Sequence, residues 1–249
     1  MHSQVLDKKR YFLLDELRGF LVLLMVVYHG LLSVYLALDN LVALRLFDFF
    51  TPVEPFFAGG FILISGICCR FSRSNLIRGL KLLAVALLIN FFTVVITAVS
   101  FLNISILFGI LNLLSFCMIF VGLTEKLLQK IPPIIGIVIS LILFVLALIF
   151  VSHINFSYQN TESPYLFPLG YVRADFESAD YFPILPWVFL YLIGYFLGQT
   201  GVFERNDKLF AKSRIPLLGF IGKYAIVIYI LHQPVIFGAA YLLGVLING

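Results

Sequence analysis

Arg18 and His29 stand eleven residues apart in the first apolar stretch of this chain. On a helix that spacing returns to nearly the same face, with an axial separation of about 16 Å. Asp15 falls on that face too, close enough to orient Arg18. One stripe therefore carries a guanidinium at a membrane surface and an imidazole near mid-bilayer. A guanidinium fork suits phosphate, and a neutral imidazole can take a proton from a hydroxyl or amine. Each also has a structural reading. Arg18 can snorkel to the head groups, and His29 can tie its helix to a neighbour. Ionisable groups inside membrane helices are costly, so each is a candidate for function.

Two further residues join this set. Glu54, in Thr51-Pro52-Val53-Glu54-Pro55, opens the second apolar run. There it gains from the helix dipole. A connection of about 13 residues returns it to the far half of the first helix. Glu54 is thus a candidate partner for His29 or for a substrate amine or hydroxyl, or else a solvated interfacial carboxylate. His232 lies in Tyr229-Ile230-Leu231-His232-Gln233-Pro234. Pro234 cannot bond to the carbonyl of Ile230. His232 faces either a cavity or a structural partner. A basic turn holds Arg70, Arg73, Arg78 and Lys81 with no acid. It reads either as contact with anionic lipid or as a dock for a phosphorylated cofactor.

Seven apolar runs must position these residues: Leu17–Leu38, Pro52–Cys69, Leu82–Ser100, Ile104–Leu123, Pro133–Ser152, Pro183–Gly201 and Pro216–Ile247. Each is about long enough to span a bilayer, and a lipid-embedded backbone must bond to itself. The reading is an all-α polytopic transmembrane bundle of about seven helices, forming one domain over residues 1–249. Mean hydropathy is +1.05. The first run is too long for a signal-peptide core and lacks a small-residue cleavage site, so it is expected to be retained.

With the N-terminus cytoplasmic and the C-terminus extracytoplasmic, one side holds Lys8, Lys9, Arg10, Arg18, Arg70, Arg73, Arg78, Lys81, Lys126, Lys130, Arg205, Lys208, Lys212, Arg214 and Lys223. The other holds Arg45 and Arg173. That is the positive-inside asymmetry. The net charge of +4 therefore reports orientation, not nucleic-acid binding. Cys68, Cys69 and Cys117 show neither metal-ligand spacing nor a disulfide framework, and no metal site is read. Asn103-Ile104-Ser105 and Asn155-Phe156-Ser157 are sequons against helix ends. Asn90 and Asn112 read as helix-to-helix glue, and His153 as a solvated helix end. The longest loop, residues 154–182, mixes acids and aromatics from Tyr158 to Glu162 and from Asp175 to Phe182. It is either hydrated or able to bind a sugar or amine.

Several segments resemble one family. Asp15-Glu16-Leu17-Arg18-Gly19-Phe20 with Leu24-Met25-Val26-Val27-Tyr28-His29, Ile64-Ser65-Gly66, Asp180 through Trp187 with Gly194 and Gly198, and Gly219 through Tyr224 with Tyr229 through Pro234 are similar to bacterial membrane proteins related to the catalytic domain of heparan-alpha-glucosaminide N-acetyltransferase. The resemblance spans the chain. It implies an enzyme that moves an acetyl group from cytoplasmic acetyl-CoA to a hydroxyl or amine of an extracytoplasmic sugar or glycolipid, in a bacterial plasma membrane. Arg18, Arg70, Arg73, Arg78 and Lys81 would hold CoA phosphates. His29 would be the general base, or would carry the acetyl group, with Glu54 or His232 orienting it. In the lysosomal enzyme the histidine lies in the loop after the first helix, and no histidine occurs here between Gly30 and Glu54. His29 instead matches the related polysaccharide O-acetyltransferases. Two other readings remain open: a proton-coupled transporter or lipid- and glycan-handling protein, and a non-catalytic partner in envelope synthesis. Membrane lipid is an expected partner, and a homo-oligomer is compatible with the sequence.

Overall fold

The computed structural model describes residues 11–99, 104–157, 165–173 and 175–248. Lys8, Lys9, Arg10, Ser100, Asn103 and the stretch from Tyr158 to Glu162 lie outside the described residues. The helices are α1 (Phe12–Leu38), α2 (Leu41–Phe50), α3 (Glu54–Ile67), α4 (Asn75–Val99), α5 (Ile110–Leu128), α6 (Pro133–Ser157), α7 (Ile184–Gln199), α8 (Val202–Arg205), α9 (Asp207–Phe210), α10 (Pro216–Lys223) and α11 (Ala225–Asn248). Three-residue and four-residue 3-10 turns occupy Thr51–Val53, Cys68–Phe71 and Phe167–Leu169. Six helical stretches are long and apolar enough to cross a membrane. The chain is an all-α polytopic membrane protein, and it divides into two compact units, residues 1–61 with 203–249 and residues 62–202.

In the first unit, glycines let helices approach to backbone contact. A Cβ at Gly19 would strike the carbonyl of Leu218, and one at Gly222 would strike that of Asp15. Farther along, a Cβ at Gly30 would meet the Ile236 side chain, and one at Gly244 would lie 3.0 Å from the carbonyl of Ala37. Residue numbers rise together from His29–His232 through Gly30–Ile236 to Ala37–Gly244, so α1 and α11 run parallel, whereas against α10 they fall, from Asp15–Gly222 to Gly19–Leu218. Gly60 against Leu21 and Phe57 against Tyr28 make α3 antiparallel to α1. Six of the seven apolar runs read from the sequence coincide, with shifted bounds, with stretches long and apolar enough to cross a membrane, and the run Pro183–Gly201 holds the shorter, 16-residue α7.

Two sequence boundaries are corrected in this unit. The connection after α1 is itself a helix, α2, whose first amides are capped by Asn40 through Val42 N and Ala43 N at 3.0 Å each. The last apolar run is broken at Tyr224 into α10 and α11.

In the second unit α4 and α5 are antiparallel, with Gly79 on Ile119 and Gly122 on Leu76. Gly66 lies on Tyr191 and Gly194 on Leu63, which sets α3 against α7. Cys69 Sγ and the Tyr191 hydroxyl share a hydrogen bond at 2.8 Å, and all three cysteines are free. Trp187, in the first turn of α7, meets Phe144 at 6.3 Å between ring centroids. Phe144 is about 20 Å short of the end of α6. Backbone ahead of α7 therefore fills half of that crossing without forming a helix.

Such backbone is tolerated at membrane depth only when its polar groups are satisfied. Ile104 N donates to Thr97 Oγ1 and Ile106 N to Thr93 Oγ1, both at 3.1 Å. Asn90 Nδ2 donates to the Leu107 carbonyl, Ala179 N to that of Ser105, and Phe182 N to that of Phe108. Asn90 therefore holds an irregular segment rather than another helix. Asn112 accepts from Gly109 N and so caps its own helix. The acidic loop is largely structural as well. Asp180 is buried and accepts from Ile110 N at the start of α5, and Tyr181 donates to the Phe167 carbonyl. Asp175 is exposed and pairs with Arg173 at 2.8 Å. His153 is exposed, but it does not end its helix, which runs on to Ser157. Asn155 sits in the last turn of α6 rather than beyond it.

Replacing Gly222 by Leu places a side chain against the α1 backbone, which cannot yield as a side chain would. The expected cost is at least about 1–3 kcal/mol. A fluorescence thermal-shift measurement in detergent should show a clearly lowered midpoint for Gly222→Leu and little change for Gly238→Ala, where a Cβ meets nothing within 4 Å.

Candidate active site

Three ionisable residues of α1 occupy different surroundings. Asp15 and Arg18 lie on one face, 3.4 Å apart and each about one-fifth exposed (19% and 20%). The orienting contact expected from their spacing is present. Glu16 points elsewhere and is only 4% exposed. Its Oε1 accepts from Ser213 Oγ at 2.8 Å, Arg214 N at 2.7 Å and Ile215 N at 3.0 Å. These donors open α10, where backbone amides point outward unpaired and the helix dipole favours an anion. Glu16 therefore fastens the basic end of α1 to α10, beside the Gly19–Gly222 contact. Sequence reasoning had no means of finding partners for Glu16 some two hundred residues away.

Eleven residues beyond Arg18, His29 meets His232. His29 Nδ1 and His232 Nε2 are 2.9 Å apart. The ring planes differ by 18° and the centroids lie 5.1 Å apart. A nitrogen separation of 2.9 Å is closer than stacked faces allow, so the rings meet edge to edge through a hydrogen bond. His232 is buried at 6% exposure, and His29 is half-buried. Ser33 Oγ donates to the His29 carbonyl at 2.9 Å, which is ordinary helix back-bonding.

The network assigns the ring protons. His232 Nδ1 is 2.6 Å from the Tyr229 carbonyl, which can only accept. His232 Nδ1 therefore carries hydrogen. In the neutral ring, Nε2 is then an acceptor, so His29 Nδ1 must donate to it. His29 Nε2 is left with a lone pair and can serve as a base. The carbonyl used is that of Tyr229, not that of Ile230, which Pro234 was expected to free.

Glu54 does not orient His29, whose ring hydrogen bond goes to His232. It begins α3, half-buried, close enough to the Tyr28 hydroxyl to act on it electrostatically. Tyr28 separates the two. Its ring lies 5.5 Å from that of His29 and stacks on Phe47 at 4.6 Å, and its hydroxyl meets Thr51 Oγ1 at 3.2 Å. Thr51 donates to the Phe47 carbonyl, so Tyr28 donates to Thr51. Arg70, Arg73, Arg78 and Lys81 belong to the second unit. They are exposed around the turn from α3 to α4.

A polytopic helical membrane protein with a buried, hydrogen-bonded histidine pair and cations on its helix ends has the parts of a membrane group-transfer enzyme. A family model described as heparan-alpha-glucosaminide N-acetyltransferase, catalytic, matches residues 10–234. The chain belongs to that family, and with it to the membrane acetyltransferases. No curated protein and no solved structure shows significant similarity to it.

Removing the Glu16 carboxylate strands one hydroxyl and two amides. Glu16→Ala should lower stability by about 1.5–3 kcal/mol, read as a fall in thermal midpoint. Glu16→Gln, which keeps an acceptor, should recover much of it. Equal midpoints for the two variants would contradict the clasp.

Proposed function

We propose that this protein transfers an acetyl group from acetyl-CoA on the cytoplasmic side to a hydroxyl or amine of an extracytoplasmic sugar or glycolipid, in a bacterial plasma membrane. The observation that supports this reading most directly is the proton assignment in the His29–His232 pair. The N-terminus is taken as cytoplasmic, which puts Arg18 on the donor side and the α1–α2 connection on the acceptor side.

His29 Nε2 takes the proton of the acceptor O–H or N–H. The freed electron pair attacks the thioester carbonyl carbon, the new C–O or C–N bond forms, and the C–S bond breaks to leave the CoA thiolate. As His29 becomes an imidazolium, its Nδ1–H strengthens its bond to His232 Nε2. His232 is itself held by the Tyr229 carbonyl. Base, partner and orienting group thus follow the usual logic of an activated site. His232 acts on the acceptor through His29 and is a positioning residue. Glu54, near Tyr28, is placed to meet the acceptor rather than the base. Arg18, steadied by Asp15, suits a phosphate of the donor, since a guanidinium keeps its charge and binds two oxygens at once. Arg70, Arg73, Arg78 and Lys81 offer a further cationic surface for the same polyanion. Transfer gains its rate chiefly from holding acceptor and thioester together.

Purified protein in lipid nanodiscs, supplied with radiolabelled acetyl-CoA, tests the reading. His29→Gln should lower kcat by about 10²–10⁴-fold. His232→Leu should lower it substantially and alter the pH profile, and His232→Gln, whose amide oxygen can accept from His29 Nδ1, should recover part of the loss. Wild-type protein that neither binds acetyl-CoA nor turns it over would turn the argument to the transporter reading.

A further inference from the structure

The turn between α3 and α4 holds two polar atoms that the fold leaves unsatisfied. Asn75 opens α4 and is only 3% exposed. Its Nδ2 donates to the Cys69 carbonyl at 3.2 Å, and Ser72 N donates to the same carbonyl at 3.2 Å. A carbonyl can only accept, so the amide orientation of Asn75 is fixed and Oδ1 is the atom left over. Among the described residues, neither Asn75 Oδ1 nor Ser72 Oγ has a hydrogen-bond partner, and both are buried. A buried polar atom without a partner is costly, and so marks a place where something binds. Asn75 Oδ1 requires a donor, which an ionised phosphate cannot supply.

The charges beside these atoms follow in a line. Asn75, Arg78 and Lys81 succeed one another at three-residue steps, each about 60° around α4 and about 4.5 Å along it. Arg78 is close enough to the buried Cys69 thiol and Tyr191 hydroxyl to act on both electrostatically. Both cations are themselves exposed. Past Arg78 the line reaches the side of α4 that carries Ile77, Leu80, Leu88 and Phe91, all exposed. α4 is long and apolar enough to cross a membrane, and this band is its face toward lipid.

Apolar band, cations and buried hydrogen-bonding atoms thus occur in the order of the parts of a phospholipid: acyl chains, phosphate, head group. We propose that this end of α4 binds an anionic phospholipid whose head group carries hydroxyls, as that of phosphatidylglycerol does. The acyl chains lie along the band, and Arg78 and Lys81 hold the phosphate. One head-group hydroxyl donates to Asn75 Oδ1, and the other pairs with Ser72 Oγ. A choline head group has no donor for Asn75, and an ethanolamine brings a positive charge against the two cations. A soluble polyphosphate has no use for the apolar band. Within the cationic surface offered above to the acetyl donor, Arg78 and Lys81 are the pair that this lipid takes. The site lies in the second unit and needs no contribution from the histidine pair, so its failure leaves the acetyl-transfer reading untouched.

Native mass spectrometry of the whole chain in detergent, with phosphatidylglycerol, phosphatidylmethanol or phosphatidylcholine added, reads the lipid retained. Phosphatidylmethanol carries the same charge but no head-group donor. Wild-type protein should bind phosphatidylglycerol about five- to tenfold more tightly than phosphatidylmethanol, the worth of roughly one hydrogen bond, and phosphatidylcholine least of all. Arg78→Gln should weaken both anionic lipids about tenfold. Ser72→Ala and Asn75→Ala should bring phosphatidylglycerol down toward phosphatidylmethanol. Without anionic lipid, Ser72→Ala should keep the wild-type thermal midpoint, because it removes an unpaired hydroxyl and no contact; the wild-type comparison stands even where Asn75→Ala fails to fold. Equal retention of the two anionic lipids by wild-type protein would mean that water fills the pocket, and overturns the proposal. So does displacement of phosphatidylglycerol by acetyl-CoA, which would give the pocket to the donor.

Discussion

A hydrogen bond between two imidazoles on different helices constrains this molecule more than any other contact. It holds α1 and α11 side by side with His29 level with His232, and the Gly30–Ile236 and Gly244–Ala37 contacts make the two helices parallel. Close approach requires residues without side chains at the seam. Gly19, Gly222, Gly30 and Gly244 provide it, and Glu16 fastens the basic end. The register that places the rings within bonding distance is thus set by backbone contacts some distance from the rings themselves.

The chemistry follows from the direction of two bonds. A carbonyl cannot donate, so Tyr229 fixes the proton on His232, and His232 in turn fixes the proton on His29. A free histidine exchanges between tautomers, and only one of them presents Nε2 as a base. Holding that tautomer removes a source of wasted encounters without placing a charge in the membrane. A carboxylate in the position of His232 would orient His29 as well but would carry a charge at that depth, which is costly.

The sequence made the membrane class and the individual chemical groups legible. Length and hydropathy specify spans, because lipid leaves a backbone no alternative to helix. The Arg18–Asp15 contact was legible because it is local. His29 and His232 could each be singled out by cost, but their pairing joins residues far apart in the chain, and helix periodicity carries no information about that. The same limit hid the Glu16 clasp. Boundaries failed for a different reason. Hydrophobicity cannot distinguish a helix from irregular backbone whose polar groups are satisfied by Asn90, Thr93 and Thr97, and so the approach to α5, from Ile104, read as part of a span. The segment after α1 read as a connection of about 13 residues between two apolar runs. It is a helix, capped by Asn40.

Solid-state NMR of isotope-labelled histidine nitrogens in lipid bilayers tests the central claim most directly. The chain has four histidines, and His29→Gln and His232→Gln assign the two of interest. The account predicts both rings neutral and protonated at Nδ1, with a measurable coupling between His29 Nδ1 and His232 Nε2 across the hydrogen bond. A His29 ring protonated at Nε2, or the absence of coupling between the two side chains, would contradict it.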